Sequence, residues 1–122
     1  MQKSLLAAGA INAALAVAAG AFAAHGLRER LATRALEIFE TGARYHMYHA
    51  LGMLLCAALV ASVPGAKTAG WLLQGGIVVF SGSLYALALT DVKILGAITP
   101  LGGLAFLAGW VWLAISALRL KS

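Results

Sequence analysis

The fold class predicted by this sequence is an all-α integral membrane bundle of four spanning helices, with an interfacial amphipathic helix between helices one and two. Three observations predict it. Hydrophobic residues make up 62% of the 122, charged residues only 11%, and mean hydropathy is +0.92. An ordinary soluble domain is about 45–50% apolar and about 25% charged. So few polar side chains cannot cover a water-facing surface, which excludes an ordinary soluble enzyme and a disordered chain. Second, four uncharged runs approach the roughly 20 residues a membrane helix needs: Ser4–Ala24, Tyr45–Val63, Thr68–Thr90 and Leu101–Leu118. Third, the charges fall between or beside those runs.

The first run follows Lys3 and contains Ala21-Phe22-Ala23, which has the look of a signal-peptidase site. Its 21 residues exceed the about 7–15 of a signal core, so it is read as a retained first helix. The connection 25–44 comes next. On a helical wheel Leu27, Leu31, Ala32, Ala35, Leu36, Ile38, Phe39 and Gly42 share one half. Glu29, Arg30, Thr33, Arg34, Glu37, Glu40 and Thr41 share the other, and only Arg28 is misplaced. That pattern predicts a helix lying on the membrane or covering the bundle end. Arg34/Glu37 and Glu40/Arg44 have ion-pair spacing.

The second run spans 45–63 and ends at a tight Pro64-Gly65-Ala66-Lys67 turn, which makes helices two and three antiparallel neighbours. The third run spans 68–90. The fourth is expected to begin near Pro100, with Thr99 as its cap and proline at the first helical position. The alternative is a start near Ile94 with Pro100 inside the helix. Small residues at i, i+4 (Gly9/Ala13, Ala16/Gly20, Gly20/Ala24) and the glycines of runs three and four predict close helix approach. The whole of residues 1–122 reads as a single membrane domain.

The net charge of +5 points here to membrane orientation and lipid headgroups rather than nucleic acid. Lys3, Lys67, Arg119 and Lys121 fall on one side of a four-span protein. Arg28, Arg30, Arg34, Arg44 and Lys93 fall on the other. Acids flank four of the latter five, which tilts the expectation to cytoplasmic termini. The lone Cys56 excludes an internal disulfide.

Few residues carry chemistry. His46, His49, Met53 and Cys56 share one helical stripe, with ligand types that suit a soft metal or, through the histidines, a haem. His25 flanks the same connection, so a three-histidine metal site of His25, His46 and His49 is the sharpest candidate. The competing reading is hydrogen bonding between helices, and it is favoured. Asn12, Gln74, Ser81, Ser83 and Tyr85 are the other polar groups within the runs. No Asp, Glu, Lys or Arg lies inside a run, which argues against a proton-coupled antiporter. Ser81 and Ser83 have no base nearby, so no catalytic residue and no cofactor is expected.

Several strings resemble one family. Gly20–Leu27 resembles its GAFGAHGL signature with Ala23 in place of a glycine. Thr41-Gly42, Tyr45-His46 and His49-Ala50-Leu51 resemble a second element. Phe80–Tyr85 with Ala88-Leu89-Thr90 resembles a third, and Ile98–Gly103 with Gly109-Trp110 completes the order. The family is the YgdD/YwdK type of small bacterial inner-membrane proteins, of unknown function, with a small eukaryotic transmembrane relative. The resemblance implies four spans and an inner-membrane location. It places Tyr45, Ser81, Ser83, Tyr85 and Thr99 in the family pattern, along with the three histidines and Pro100, and it implies no reaction. The expected function is therefore non-enzymatic: a structural or accessory membrane protein acting through lipids, a second copy of itself or another membrane protein. A small oligomeric transporter or channel is the alternative, and histidine-based metal or haem binding is the second.

Overall fold

The computed structural model describes residues 2–121, so Met1 and Ser122 lie outside the described residues. Four helices fill the chain: α1 (Lys3–Leu27), α2 (Thr33–Leu59), α3 (Ala66–Thr90) and α4 (Ile94–Leu118). No strand occurs among the described residues. Three of the helices, α1, α3 and α4, are long and apolar enough to cross a membrane, at 25 residues each. The 27-residue α2 matches them in length but carries Arg34, Glu37, Glu40 and Arg44 in its first half.

Each helix packs on the next in chain order, and α1 also touches α3. The side chain of Gln2 caps α1 by accepting from Leu5 N at 3.0 Å, and Gln2 N donates to Ala57 O, tying the start of α1 to the end of α2. The spacing of the buried residues Leu5, Gly9, Asn12 and Ala16 gives α1 one inward face at helical period. Gly9 and Ala16 lie on that face as small residues should. Gly20 does not: it is exposed, and a Cβ there would meet nothing within 4 Å.

Two expectations are corrected. The stretch 25–44 is not a separate amphipathic helix. A π-helical turn over Ala23–Leu27 ends α1, a turn follows through residues 28–32, and Thr33 onward already belongs to α2. The apolar face that suggested a surface helix is the face α2 turns to its neighbours. Phe39 and Leu27 are buried in a cluster with Ala23 and Ala88, with Leu31, Leu36 and Ile38 against it. Phe39 also meets the Phe22 ring at 6.2 Å and the Tyr85 ring at 4.8 Å. A stripe covered by protein and one covered by headgroups read alike in sequence. Arg34 and Glu37 form an exposed ion pair at 3.6 Å, whereas Glu40 and Arg44 do not pair.

The second correction concerns Pro100, which sits inside α4 rather than at its start. Asp91 takes a left-handed conformation (φ 58°) that closes α3, its N–H reaching Leu87 O at 2.8 Å. Val92 and Lys93 then complete the turn, so α4 is under way by Ile94. Proline lacks the N–H that would reach the Gly96 carbonyl. Thr99 Oγ1 lies 3.1 Å from Leu95 O in the same turn, a contact to the neighbouring carbonyl rather than to that of Gly96. Thr-Pro thus served two geometries equally well in sequence.

The core has two apolar layers. The larger gathers Leu5, Met53, Cys56, Leu73, Ile77 and Phe106. The smaller is the Phe39 cluster at the other end. Close approach between α3 and α4 rests on glycines. A Cβ on Gly102 would collide with Phe80 N and lie 2.7 Å from Phe80 Cα. One on Gly76 would sit 3.1 Å from Gly102 O. A second π-helical turn, Ile77–Ser81, carries the Phe80 backbone into this contact. Such turns add a residue to a helix and re-aim side chains around it.

Candidate functional site: a polar layer and an aromatic groove

Between the two apolar layers lies a chain of hydrogen bonds linking three helices. Asn12 of α1 stands at its centre. Its Nδ2 donates to Gln74 Oε1 on α3 at 2.7 Å and to Ala8 O at 2.8 Å. Met53 Sδ lies 3.8 Å from the same nitrogen. Asn12 Oδ1 accepts from His46 Nε2 on α2 at 3.0 Å. An amide oxygen can only accept, so Nε2 carries the proton, and His46 Nδ1 then accepts from Tyr85 Oη on α3 at 2.9 Å. The order Tyr85, His46, Asn12, Gln74 leaves neither imidazole nitrogen of His46 free. His46 and Asn12 are both buried. The expectation that Asn12 and Gln74 bond between helices is met, and they bond to one another.

The serines close the same layer. Ser81, fully buried, donates to Gly42 O at 2.8 Å, so the π-helical turn of α3 is fastened to α2. Ser83 and Thr99 hydroxyls meet at 2.6 Å across α3 and α4. One hydroxyl donates across the helices, and the other, accepting, donates its single proton to a carbonyl of its own helix, Phe80 O for Ser83 or Leu95 O for Thr99. Of the polar residues singled out in sequence, Ser81, Ser83, Tyr85 and Thr99 therefore all fasten helices or helix turns. Tyr45 differs, being exposed and lying in an aromatic patch, edge-on to Tyr48 and tilted against Phe80.

The three histidines have separate settings. His25 is exposed in the last turn of α1. His46 is held in the polar chain. His49 is buried, donates Nδ1–H to Tyr45 O at 2.7 Å, and stacks on Phe106 with ring centroids 3.5 Å apart and planes 6° apart. Among the described residues no group of three or more His, Cys, Asp or Glu side chains is arranged to hold a metal ion. Cys56 is a free, buried thiol in the larger apolar layer.

Two features of the site had no sequence signal. The Gly42 carbonyl as a partner for Ser81 depends on the register of α2 against α3. The other is a groove of about 390 Å³ between α2 and α4, walled by Tyr45, Phe80, Phe106 and Trp110, with His49 at its back. Those aromatics come from three helices, and no spacing along the chain announces them.

Comparison with known proteins agrees with this architecture. Residues 19–103 match the family model described as "Protein of unknown function (DUF423)". The UPF0382 membrane protein YwdK of Bacillus subtilis is 52% identical over 114 residues, covering 91% of this chain and 93% of the relative. A UPF0382 membrane protein of Staphylococcus epidermidis is 51% identical over 112 residues, covering 91% and 92%. One from Staphylococcus aureus is 43% identical over 112 residues, with the same coverage. No solved structure matches. Three apolar helices of spanning length, relatives named as membrane proteins and a family match over most of the chain lead to one statement: this protein belongs to the DUF423 family of membrane proteins, whose function is unknown.

Proposed function

We propose that the chain is a four-span, non-enzymatic protein of the bacterial inner membrane, with cytoplasmic termini, that acts through anionic lipids and a membrane-protein partner or a second copy of itself. The observation that carries this reading is the self-satisfied polar layer. Tyr85, His46, Asn12 and Gln74 spend their hydrogen bonds on one another, as do Ser81, Ser83 and Thr99 on their neighbours. Catalysis and solute transport need polar groups presented to a ligand, and a layer of this kind presents few.

Two features support α2 as the fourth span. At 27 residues it is as long as the 25-residue apolar helices, and it packs against both α1 and α3. Its middle turns show Tyr48, Leu51 and Leu55 outward, roughly half exposed, as lipid-facing residues would be. Its first three turns, with Arg34, Glu37, Glu40 and Arg44, then occupy the headgroup layer at the end where Asp91 and Lys93 lie. There the arginines extend their charged tips to the lipid headgroups.

Labelling tests the topology. Single cysteines at Arg30, Ser62 and Val92, in a Cys56→Ser background, are treated with a membrane-impermeant maleimide on intact cells. Positions 30 and 92 should label and position 62 should not. Labelling of 30 and 92 from opposite sides refutes four spans, and external labelling of 62 refutes the orientation. Crosslinking before mild extraction tests the partner reading, which fails if neither a dimer nor one recurring partner is captured.

A further inference from the structure

We infer that the groove between α2 and α4 is a binding site for a neutral, lipid-soluble ring compound of the hydroquinone class, whose hydroxyl donates to His49 Nε2. The inference is independent of the reading above and begins with the tautomer of His49. Its Nδ1 lies 2.7 Å from the Tyr45 carbonyl oxygen, which can only accept. The proton therefore sits on Nδ1, and Nε2 of the neutral ring carries a lone pair. Among the described residues no group donates to it. Nor is it sealed away: Trp112 Nε1 is the sealed side-chain polar atom without a partner among the described residues. Residue His49 itself is 94% buried, at 6% relative exposure, and forms part of the groove wall. His49 thus brings an acceptor with no protein donor to a groove lined mostly by apolar and aromatic residues.

The walls select the rest of the ligand. Phe106 is stacked on His49, while Trp110 tilts against it with centroids 5.9 Å apart. Tyr45 and Phe80 meet at 5.0 Å on the same side. Aromatic side chains gain most from another ring in offset or edge contact. Gly103 leaves space between them, since a Cβ there would meet only Phe80 Cδ2, at 3.9 Å. The volume, about 390 Å³, lies in the range of small-molecule sites. No charged residue lines the groove, so a charged ligand would find no counterion. His49 is its one imidazole or carboxylate-type ligand, too few to hold a metal. Leu104 and Leu107, both about 60% exposed, flank the mouth and continue onto the outer face of α4, where an aliphatic tail would lie along them.

The test uses the full chain in lipid nanodiscs, with histidine nitrogens labelled by ¹⁵N. The probe is decyl-trimethylhydroquinone kept reduced, compared with its oxidised quinone and with 1-decanol. The reduced probe should bind saturably and shift the His49 Nε2 resonance. His49→Phe keeps the stacked ring and removes the acceptor, and should weaken binding by about tenfold or more. Gly103→Leu fills the groove and should do the same, so the prediction survives if one variant misfolds. Melting temperatures of both variants establish that they are folded. The oxidised probe, which lacks a donor, should bind several-fold more weakly, and decanol should not compete. Absence of saturable binding, or folded variants that bind like the parent, overturns the site. Equal binding of the quinone overturns the hydrogen bond, and equal competition by decanol overturns ring recognition.

Discussion

Gly102→Ala adds one methyl group where α4 meets α3, and the structure sets its effect. The new Cβ would collide with Phe80 N and stand 2.7 Å from Phe80 Cα, against ordinary contact at 3.4 Å or more. Both neighbours are main-chain atoms in a helical turn, so no rotamer change relieves the overlap. The helices must part by several tenths of an ångström to about 1 Å. Overpacking of this kind costs about 1–3 kcal/mol. Replacing glycine by alanine in a helix returns at most about 1 kcal/mol. The net expectation is destabilisation by about 1–2 kcal/mol, a factor of roughly 5–30 in the folded-to-unfolded ratio. Parting α3 from α4 would also stretch the 2.6 Å Ser83–Thr99 contact nearby. The assay is equilibrium unfolding in mixed detergent and SDS micelles, followed by circular dichroism. Gly103→Ala is the control, because its Cβ meets only Phe80 Cδ2 at 3.9 Å, and it should be neutral or stabilising. If both variants unfold at the same SDS fraction, close backbone approach at Gly102 is not what holds α3 to α4.

The same assay reads six further substitutions. Asn12→Leu strands His46 Nε2–H and Gln74 Oε1 together and should cost about 1–3 kcal/mol, more than Gln74→Leu, which removes only one bond of the chain. An equal effect of the two would place Asn12 outside the centre of the network. Tyr85→Phe leaves His46 Nδ1 without a donor and should destabilise more than Ser81→Ala, whose carbonyl partner keeps other options in its helix. The reverse order would mean that the Tyr85 hydroxyl is not what holds His46. Pro100→Ala restores the N–H of an interior helical position and should raise stability by about 1–3 kcal/mol. A drop in stability would mean that proline is required there. Glu37→Lys removes an exposed ion pair and should change stability by less than about 0.5 kcal/mol.

The polar layer shows what could be read in advance and what could not. Asn12 and Gln74 stood out because an amide in an apolar run needs a partner, but 62 positions separate them and only packing pairs them. His46 and His49 share a helical face and looked like co-ligands. In the structure one is consumed by the polar chain and the other faces a groove, because α1 and α3 meet the first while α4 meets the second. Of the two covers expected for the apolar face of segment 33–44, headgroups or the bundle, the structure shows protein, and the segment is the start of α2 rather than a helix of its own.

Composition alone determined that this chain is a helical membrane protein. With 11% charged residues there is no water-soluble surface to be had, and in uncharged runs this long the backbone groups in lipid bond within their own helix. Run length located α1 and α3 to within a few residues, because span length follows from membrane thickness, and missed the starts of α2 and α4. The tertiary structure alone decided where α2 begins, that Pro100 lies within a helix, which glycines let backbones touch and which polar groups pair. Those are properties of one helix against another. Register, rotation and covering partner are set by long-range packing, which leaves no periodic mark along the chain.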